Sequence, residues 1–347
     1  MKKFFAVAAS LILSAAMLTA CGSSAAPAAT TGAPETTAAA VTQASETTEE
    51  TKSFHIAIVQ QLDHASLDEI RLALEDELTK AAADKGFQVS YKEFNGQNDN
   101  TVLNQIGAQV VSDKYDAIIP IASLAAQCMV TAADGTNTPI IYAAVSDPAT
   151  AGLTDIPNVT GTSDALNTAF ILDMMLAAQP DVKTVGLLYS NSEANSQTPI
   201  AQAKEYLEQK GIAYIEKTGN STDEILTAAS SLVGRVEAVF TPTDNVVMAC
   251  EGAVAEILNQ AGIAHYTGAD SFVAAGAFTT SGVNYTELGT YTADMAVDIL
   301  LGGAVPEYHV MDGGIITVNT DTAEALGIDY SMFKTMANTV TEVTTVE

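Results

Sequence analysis

The chain has 347 residues, enough for about two domains of ordinary size. It carries 14 lysines and arginines against 42 aspartates and glutamates, and this net charge of -28 excludes nucleic-acid binding because so acidic a surface repels a phosphate backbone. Hydrophobic residues make up 48% of the sequence, so sizeable cores can form. The three cysteines and four histidines lack the spacing of a zinc site or a redox motif, and we predict no metal and no cofactor.

The N-terminal 20 residues have the pattern of a bacterial lipoprotein signal peptide. Lys2 and Lys3 precede an apolar segment at 4–16 that is too short for a good membrane span, and LTAC follows at 18–21. This resembles a lipobox, in which the cysteine thiol is lipidated, the chain is cut before it and the new N-terminus is often acylated, for example with palmitate. We predict a signal peptide at 1–20 and a lipidated Cys21 that anchors the protein at the extracytoplasmic face of the cell membrane. An ordinary secretory signal is the alternative.

Residues 22–52 are almost entirely Ala, Thr, Ser, Gly, Pro and Glu, with one Val and no aromatic residue. Such a segment cannot bury enough apolar surface to offset the entropy of ordering. We predict that residues 21–52, the lipidated cysteine and the segment after it, form a disordered tether.

From residue 53 onward the chain alternates short β-branched runs with segments of helical periodicity. Strands are predicted at 55–60, 87–94, 116–120, 139–145, 184–189, 212–217, 237–242 and 264–268, and helices at 67–83, 101–112, 124–133, 165–178, 196–210, 223–232, 245–260 and 285–300. This alternation predicts an α/β fold with parallel sheets built from right-handed βαβ units. The segments 116–147 and 237–270 have a weakly similar pattern of strand, helix and strand. Either the two halves of the chain are duplicates of each other, or βαβ units have similar lengths in any case.

Polar segments follow the predicted strands, at the sheet edge where ligands bind in parallel α/β folds. They are QQLDHAS at 60–66, IAS at 121–123, SDP at 146–148, SNSEANS at 190–196, TPTDN at 241–245 and DSF at 270–272. Helix capping explains any one of these segments. Their occurrence in both halves at one edge favours a ligand site.

A family resemblance rests on a set of short motifs in order. They are DHASLD at 63–68, VSDKYD at 111–116, AVSDP at 144–148, NVTGTS at 158–163, LYSNSEANS at 188–196, PTDN at 242–245 and GADS at 268–271. Together they resemble the ABC-transporter substrate-binding family with the type I periplasmic-binding-protein fold, some of whose members bind tryptophan, tyrosine or phenylalanine. Ala65 departs from the family, which often has Pro there.

The resemblance implies two Rossmann-like lobes joined by a three-strand hinge and closing on a ligand. Lobe 1 is expected at 53–161, lobe 2 at 162–272, a return to lobe 1 at 273–303, lobe 2 and the end of the hinge at 304–335, and a tail at 336–347. The function implied is capture of a small molecule, an aromatic or other hydrophobic amino acid, and its delivery to an ABC permease and ATPase by a monomeric protein. A sugar- or nucleoside-binding protein and a membrane-anchored sensor are the alternatives.

An enzyme is not expected, because GxSxG, Walker A and GxGxxG motifs are absent from the sequence. The absence of tryptophan counts against a sugar, and the lack of Lys and Arg in the polar segments counts against phosphate or dicarboxylate ligands. An amino acid needs donors for its carboxylate, which Ser123 and Ser146 can supply, and an acid for its ammonium. Asp244 is the first choice for that acid and Asp270 the second.

Two residues have alternative roles: His64 can stack on an aromatic ligand or cap a loop, and Tyr285 can face the ligand or belong to the core. The predicted ligand-binding residues are Asp63, His64, Ser123, Ser146, Asp147, Ser192, Glu193, Asn195, Asp244, Asn245, Asp270 and Tyr285. Cys128 and Cys250 are predicted to stay unpaired, because they fall on helices assigned to different lobes.

Overall fold

The structure, a computed structural model, describes residues 51–346, so the predicted signal peptide, Cys21 and the tether up to residue 50 lie outside the described residues. Strands and helices alternate from its start. The first half contains β1 (Ser53–Gln60), α1 (Ala65–Lys85), β2 (Gln88–Asn95), α2 (Asn100–Asp113), β3 (Ala117–Ile121), α3 (Ser123–Ala132), β4 (Ile140–Tyr142) and β5 (Val159–Ser163). All five residues of β3 are buried, as expected for a central strand covered on both faces.

The second half repeats this alternation around another sheet. It contains α4 (Thr168–Ala178), β6 (Thr184–Tyr189), α5 (Ala194–Lys210), β7 (Ala213–Thr218), α6 (Thr222–Leu232), β8 (Ala238–Thr241), α7 (Asn245–Met248), α8 (Glu251–Gln260), β9 (Ala264–Thr267), α9 (Asp270–Ala274) and β10 (Thr279–Gly282). The chain continues with α10 (Tyr285–Leu300), β11 (His309–Val310), β12 (Ile315–Asn319), α11 (Thr320–Leu326), α12 (Phe333–Met336) and β13 (Thr339–Val343).

Two sheets define two lobes. The sheet of lobe 1 has the order β11-β5-β4-β3-β1-β2 with parallel pairings, and the sheet of lobe 2 has the order β13-β12-β10-β9-β8-β6-β7. In lobe 2 the pairing of β10 with β12 is antiparallel, whereas the remaining pairings are parallel. The chain passes between the sheets three times, after β5, after β10 and after β11. The predicted α/β fold with two parallel-dominated sheets is confirmed.

Lobe boundaries differ from the expected ones near the C-terminus. β10 stays in the lobe 2 sheet, so the return to lobe 1 begins after residue 282 rather than at 273. β11 pairs with β5 in lobe 1, whereas lobe 2 and the end of the hinge are expected at 304–335. The expected tail at 336–347 contains β13, which pairs with β12 along five residues. β11 was missed because it has only two residues, and β13 was missed because it is polar and mostly exposed.

The predicted helix at 245–260 is two helices. Cys250 leaves the helical region with φ −132° and ψ 18°, so α7 ends before it and α8 begins after it. The apolar spacing continues across this break, which is why the sequence pattern does not show it. Cys128 lies in α3 and Cys250 lies in the turn; both are buried, and within residues 51–346 neither forms a disulfide, as predicted.

In lobe 1, α1 and α10 pack against each other at Gly289. A Cβ atom at this position would lie 2.4 Å from the carbonyl oxygen of Ile70 and 3.0 Å from the Cβ of Ala73. Only glycine therefore allows the two helices to approach this closely. The contact fixes the start of α10, where the buried Tyr285 lies.

Candidate ligand-binding site

Loops at the carboxyl ends of strands from both sheets meet around one small cavity. Its lining residues are His64, Ser66, Leu67, Ala122, Ser123, Ala144, Ser146, Asp164, Asn195, Thr243, Asp244, Asn245, Met248, Ala269, Ser271, Phe272 and Tyr285. The cavity has a volume of about 30 Å³. This is room for about two water molecules. The position is the one at which parallel α/β sheets bind ligands.

Strained backbone shapes the lobe 1 side of the cavity. Ala122 has φ 76° and ψ 163°, a region adopted almost only by glycine, and Ala144 has φ 55°. Each such residue costs about 1–3 kcal/mol, and strain of this kind clusters at functional sites. Ala122 comes directly before Ser123, which begins α3, and Ala144 comes two residues before Ser146. Both serine side chains are buried on the cavity wall.

Three buried polar atoms on the cavity wall have no hydrogen-bond partner within residues 51–346. They are Nδ1 of His64, Oγ of Ser66 and Oδ1 of Asn195. His64 donates from Nε2 to Oδ1 of Asn245 over 3.1 Å, and burial lowers the pKa of the His64 ring, so the neutral ring offers Nδ1 as an acceptor. Buried polar groups are normally paired, so unpaired ones at a single cavity indicate a polar ligand site.

A chain of hydrogen bonds joins the two lobes beside the cavity. Gln61 of lobe 1 donates from Nε2 to Oε1 of Glu193 in lobe 2 over 2.9 Å, and its own Oε1 accepts from the amide of Leu124 in α3 over 3.0 Å. Asn245 donates from Nδ2 to Oε2 of Glu193 over 2.7 Å. The network continues through the His64–Asn245 bond back to lobe 1. Burial and the neighbouring Asp244 carboxylate raise the pKa of Glu193 to about 7.

Further hydrogen bonds connect the lobes. The hydroxyl of Ser146 lies 3.0 Å from that of Thr243, and the hydroxyl of Thr198 donates to Oδ2 of Asp147 over 2.5 Å. The Asp147 carboxylate also accepts from the amide and hydroxyl of Thr150 in its own lobe. Asp147 therefore joins the lobes outside the cavity.

Asp164 is a buried acid on the cavity wall that the sequence prediction missed. Only 6% of its surface is exposed, and it follows β5 where the chain first leaves lobe 1. Oδ1 accepts from the hydroxyl of Ser146 over 2.8 Å and Oδ2 accepts from the hydroxyl of Tyr285 over 3.2 Å. Both donors are neutral, and burial raises the pKa of the Asp164 carboxyl. Its position directly after the NVTGTS motif is the signal that could have identified it.

Asp244 lines the cavity, but its carboxylate is fully used within lobe 2. Oδ1 accepts from the amides of Val246 and Val247, and Oδ2 accepts from the amide of Ser190 and the hydroxyl of Ser196. These four bonds cap α7 and hold the loop after β6. The predicted pairing of Asp244 with a ligand ammonium stays a prediction, and this geometry counts against it.

The predicted ligand-binding residues divide into two groups. The cavity wall contains His64, Ser123, Ser146, Asn195, Asp244, Asn245 and Tyr285. The residues off the wall are Asp63, Asp147, Ser192, Glu193 and Asp270. Asp63 and Ser192 are exposed, and Asp270 lies in an outer groove with Glu69, where burial and the Glu69 charge raise the pKa of Asp270 to about 6.

The fold and the interlobe cavity define a two-lobed solute-binding protein of the type I periplasmic-binding class. The chain belongs to the ABC transporter substrate binding protein family, whose sequence model matches residues 55–338. This is a family of solute-binding proteins rather than an enzyme class. No helix within residues 51–346 combines the length and apolar character needed to cross a membrane.

Three relatives are informative. The tyrosine-binding protein of Clostridioides difficile (strain R20291) is 30% identical over 336 residues, which cover 94% of this chain and 92% of that protein. The structure of an ABC domain from Streptococcus pneumoniae in complex with L-Trp is 29% identical, with a TM-score of 0.77. The ligand-free, open structure of a substrate-binding protein with adhesive properties from Clostridium difficile is 32% identical, with a TM-score of 0.64. Both structures cover 84% of this chain and 100% of their own.

Proposed function

We propose that this protein is the extracytoplasmic solute-binding component of an ABC importer and captures an aromatic amino acid such as tyrosine or tryptophan. The observation that carries the proposal is the cavity wall, on which unpaired buried polar atoms of both lobes face one small space. The relatives named for binding tyrosine and L-Trp support the ligand class.

The wall suits the parts of such a ligand. Ser123 begins α3, so its hydroxyl and the amides of the first turn other than that of Leu124, which bonds to Gln61, offer donors for a carboxylate, and Ser146 adds a further hydroxyl. Leu67, Met248 and Phe272 provide apolar surface for the side chain. His64 Nδ1 and Asn195 Oδ1 are acceptors for the ligand's N–H or O–H groups.

Lobe closure is part of the proposal. A volume of about 30 Å³ does not admit an aromatic amino acid, so the lobes must separate for the ligand to enter. The higher TM-score with the L-Trp complex than with the open, ligand-free structure supports the view that the present arrangement is near the closed state. The closed form would then deliver the ligand to the permease and its ATPase.

Anchoring at the membrane completes the proposal. Acyl chains on Cys21 would hold the protein beside its permease, while residues 22–52 would let the body move. Labelling cells with a palmitate analogue tests this step. We expect label on the wild-type protein and none on Cys21→Ser.

The ligand class is tested by thermal shift and calorimetry on the purified protein with L-tyrosine, L-tryptophan, L-phenylalanine, D-glucose and adenosine. At a hundred times its dissociation constant, a ligand stabilises the folded state by about 2.7 kcal/mol. We expect such stabilisation with at least one aromatic amino acid and none with glucose or adenosine. Binding of only the sugar or the nucleoside would overturn the proposal.

A further inference from the structure

We propose that Asp164 is the residue that recognises the ligand's ammonium group, and that it makes the site selective for amino acids over the same acids without an amino group. This inference rests on the proposed function and names the group that sets its specificity.

No basic side chain within residues 51–346 pairs with Asp164; Lys334, which lines an open groove that Asp164 also borders, lies 3.7 Å from Oε1 of Glu342. The ion pairs within residues 51–346 do not include it, and its two hydrogen-bond donors, Ser146 and Tyr285, are neutral. A buried carboxylate without a cation is costly, and burial accordingly raises the pKa of Asp164. A ligand ammonium would supply the missing charge where the carboxylate meets the cavity.

The carboxylate also has unused capacity. Each oxygen of an ionised carboxylate can accept about two hydrogen bonds, and each oxygen of Asp164 accepts one from a side chain. An ammonium group brings three donors. The acceptors at Nδ1 of His64 and Oδ1 of Asn195 line the same cavity and have no partner among residues 51–346.

The other acids near the cavity are less suited to this role. Both oxygens of Asp244 are filled by four bonds from lobe 2. Glu193 is off the cavity wall, and each of its oxygens accepts from an amide side chain. Asp270 lies in the outer groove beside Glu69. Asp164 is therefore the acid that combines burial, a place on the wall and free acceptor sites.

The position of Asp164 also links binding to closure. It follows β5 at the first passage between lobes. Its partner Ser146 lies 3.0 Å from the hydroxyl of Thr243 in lobe 2. Ser146 thus connects a cation bound to Asp164 with the contact between Ser146 and Thr243, which joins the two lobes.

The test compares two ligand pairs by calorimetry: L-tyrosine with 3-(4-hydroxyphenyl)propionate, and L-tryptophan with 3-(indol-3-yl)propionate. The wild-type protein should prefer each amino acid by more than about a hundredfold, the scale of leaving a buried charge unpaired. Asp164→Asn should lose this preference by weakening the amino acid more than about a hundredfold while leaving the deaminated acid within about threefold. The matched control is Asp173→Asn, an exposed acid that also accepts from a tyrosine hydroxyl, that of Tyr206, and it should retain the wild-type preference.

Folding is checked separately by melting without ligand. Asp164→Asn removes an uncompensated buried charge, so the melting temperature of this variant should not fall. If the asparagine variant cannot be purified, Asp164→Ser, whose side chain is shorter and also uncharged, is used in its place. If the wild-type protein binds an amino acid and the neutral variant keeps the full preference, the inference is wrong while the proposed function stands. If the wild-type protein binds none of L-tyrosine, L-tryptophan and L-phenylalanine, the proposed function fails and the inference fails with it.

Discussion

At the level of single residues, the cavity wall carries polar atoms whose hydrogen-bonding capacity the protein itself does not use. Sequence reasoning identified Ser123 and Ser146 because both follow buried strands at the edge where ligands bind. It also selected Asp63 and Ser192 from other polar segments at the same edge, and both are exposed. The direction of a side chain on a loop depends on backbone dihedral angles, which residue type does not determine.

Asp244 provides a residue-scale prediction about stability. Asp244→Asn replaces one carboxylate oxygen by an NH₂ group, which is a donor. In one orientation this NH₂ group faces the amide of Ser190, and in the other it faces the amides of Val246 and Val247, so a donor faces a donor in both cases. We expect the free energy of unfolding to fall by about 1–3 kcal/mol. Affinity for L-tyrosine should change less than about threefold.

Urea denaturation and calorimetry measure the two effects. The control is Asp99→Asn, at the cap of α2, where Oδ1 alone accepts from two amides, so asparagine can replace it at a cost below about 0.5 kcal/mol. A hundredfold loss of affinity with unchanged stability in Asp244→Asn would instead assign the ammonium to Asp244.

Glu193 provides a prediction about pH. Because its pKa is raised from 4.5 to about 7 in the folded protein, the folded state holds a proton over that range that the unfolded state has released. Stability contributed by this proton is present below about pH 4.5 and is lost as the pH rises towards 7. Glu193→Gln should therefore gain stability relative to wild type by about 2 kcal/mol on going from pH 4.5 to pH 7.

Urea denaturation of both proteins at several pH values measures this difference. The buried Asp244 carboxyl also has a raised pKa and remains in both proteins, so only its interaction with Glu193 enters the measured difference. Glu205→Gln, which changes an exposed acid of α5, should show no such trend. A difference between wild type and Glu193→Gln that is constant with pH would contradict the prediction.

At the level of elements, the sequence predicts strands and helices well where apolar periodicity is strong. The predicted bounds of the strand at 184–189 and of the helix at 285–300 are those of β6 and α10 in the structure. The prediction lacks β5, β10, β11, β12 and β13. For β11 and β13 the reason is that a two-residue strand and an exposed threonine-rich strand have no periodic signal. Asp164 was missed because β5, the strand before it, was not predicted, so no polar segment was sought after that strand.

The packing of α1 on α10 gives an element-scale prediction. Gly289→Ala would place a Cβ atom 2.4 Å from the backbone oxygen of Ile70, which cannot move without shifting α1. The strain should exceed the helix-propensity gain of about 1 kcal/mol, giving a net loss of about 1–2 kcal/mol in unfolding free energy. Gly252→Ala in α8 is the matched control, because its Cβ would meet only Ala275 oxygen at 3.9 Å. Equal urea midpoints for the two variants would contradict this account.

At the level of the whole molecule, the two lobes are held together by polar contacts around a very small cavity. The bonds from Gln61 to Glu193, from His64 to Asn245 and from Thr198 to Asp147 all cross between the lobes. Hydrogen bonds of this kind contribute about 0.5–1.5 kcal/mol each, which is small enough for an open form to be populated without ligand. A ligand that contacts both lobes would then shift the population towards the closed form.

Small-angle X-ray scattering tests this shift directly. We expect the radius of gyration to be larger without ligand and to fall when L-tyrosine or L-tryptophan saturates the protein, because the ligand adds contacts to both lobes that only the closed form makes. Thr198→Val, which removes the bond to Asp147, should be more open without ligand and should need more ligand to close. Thr131→Val, which changes an exposed threonine whose hydroxyl bonds to the Gln127 carbonyl within α3, should behave as wild type. A radius that does not change with saturating amino acid would mean that the ligand enters a rigid body, and the small cavity between the lobes would then have to widen by local side-chain movement alone.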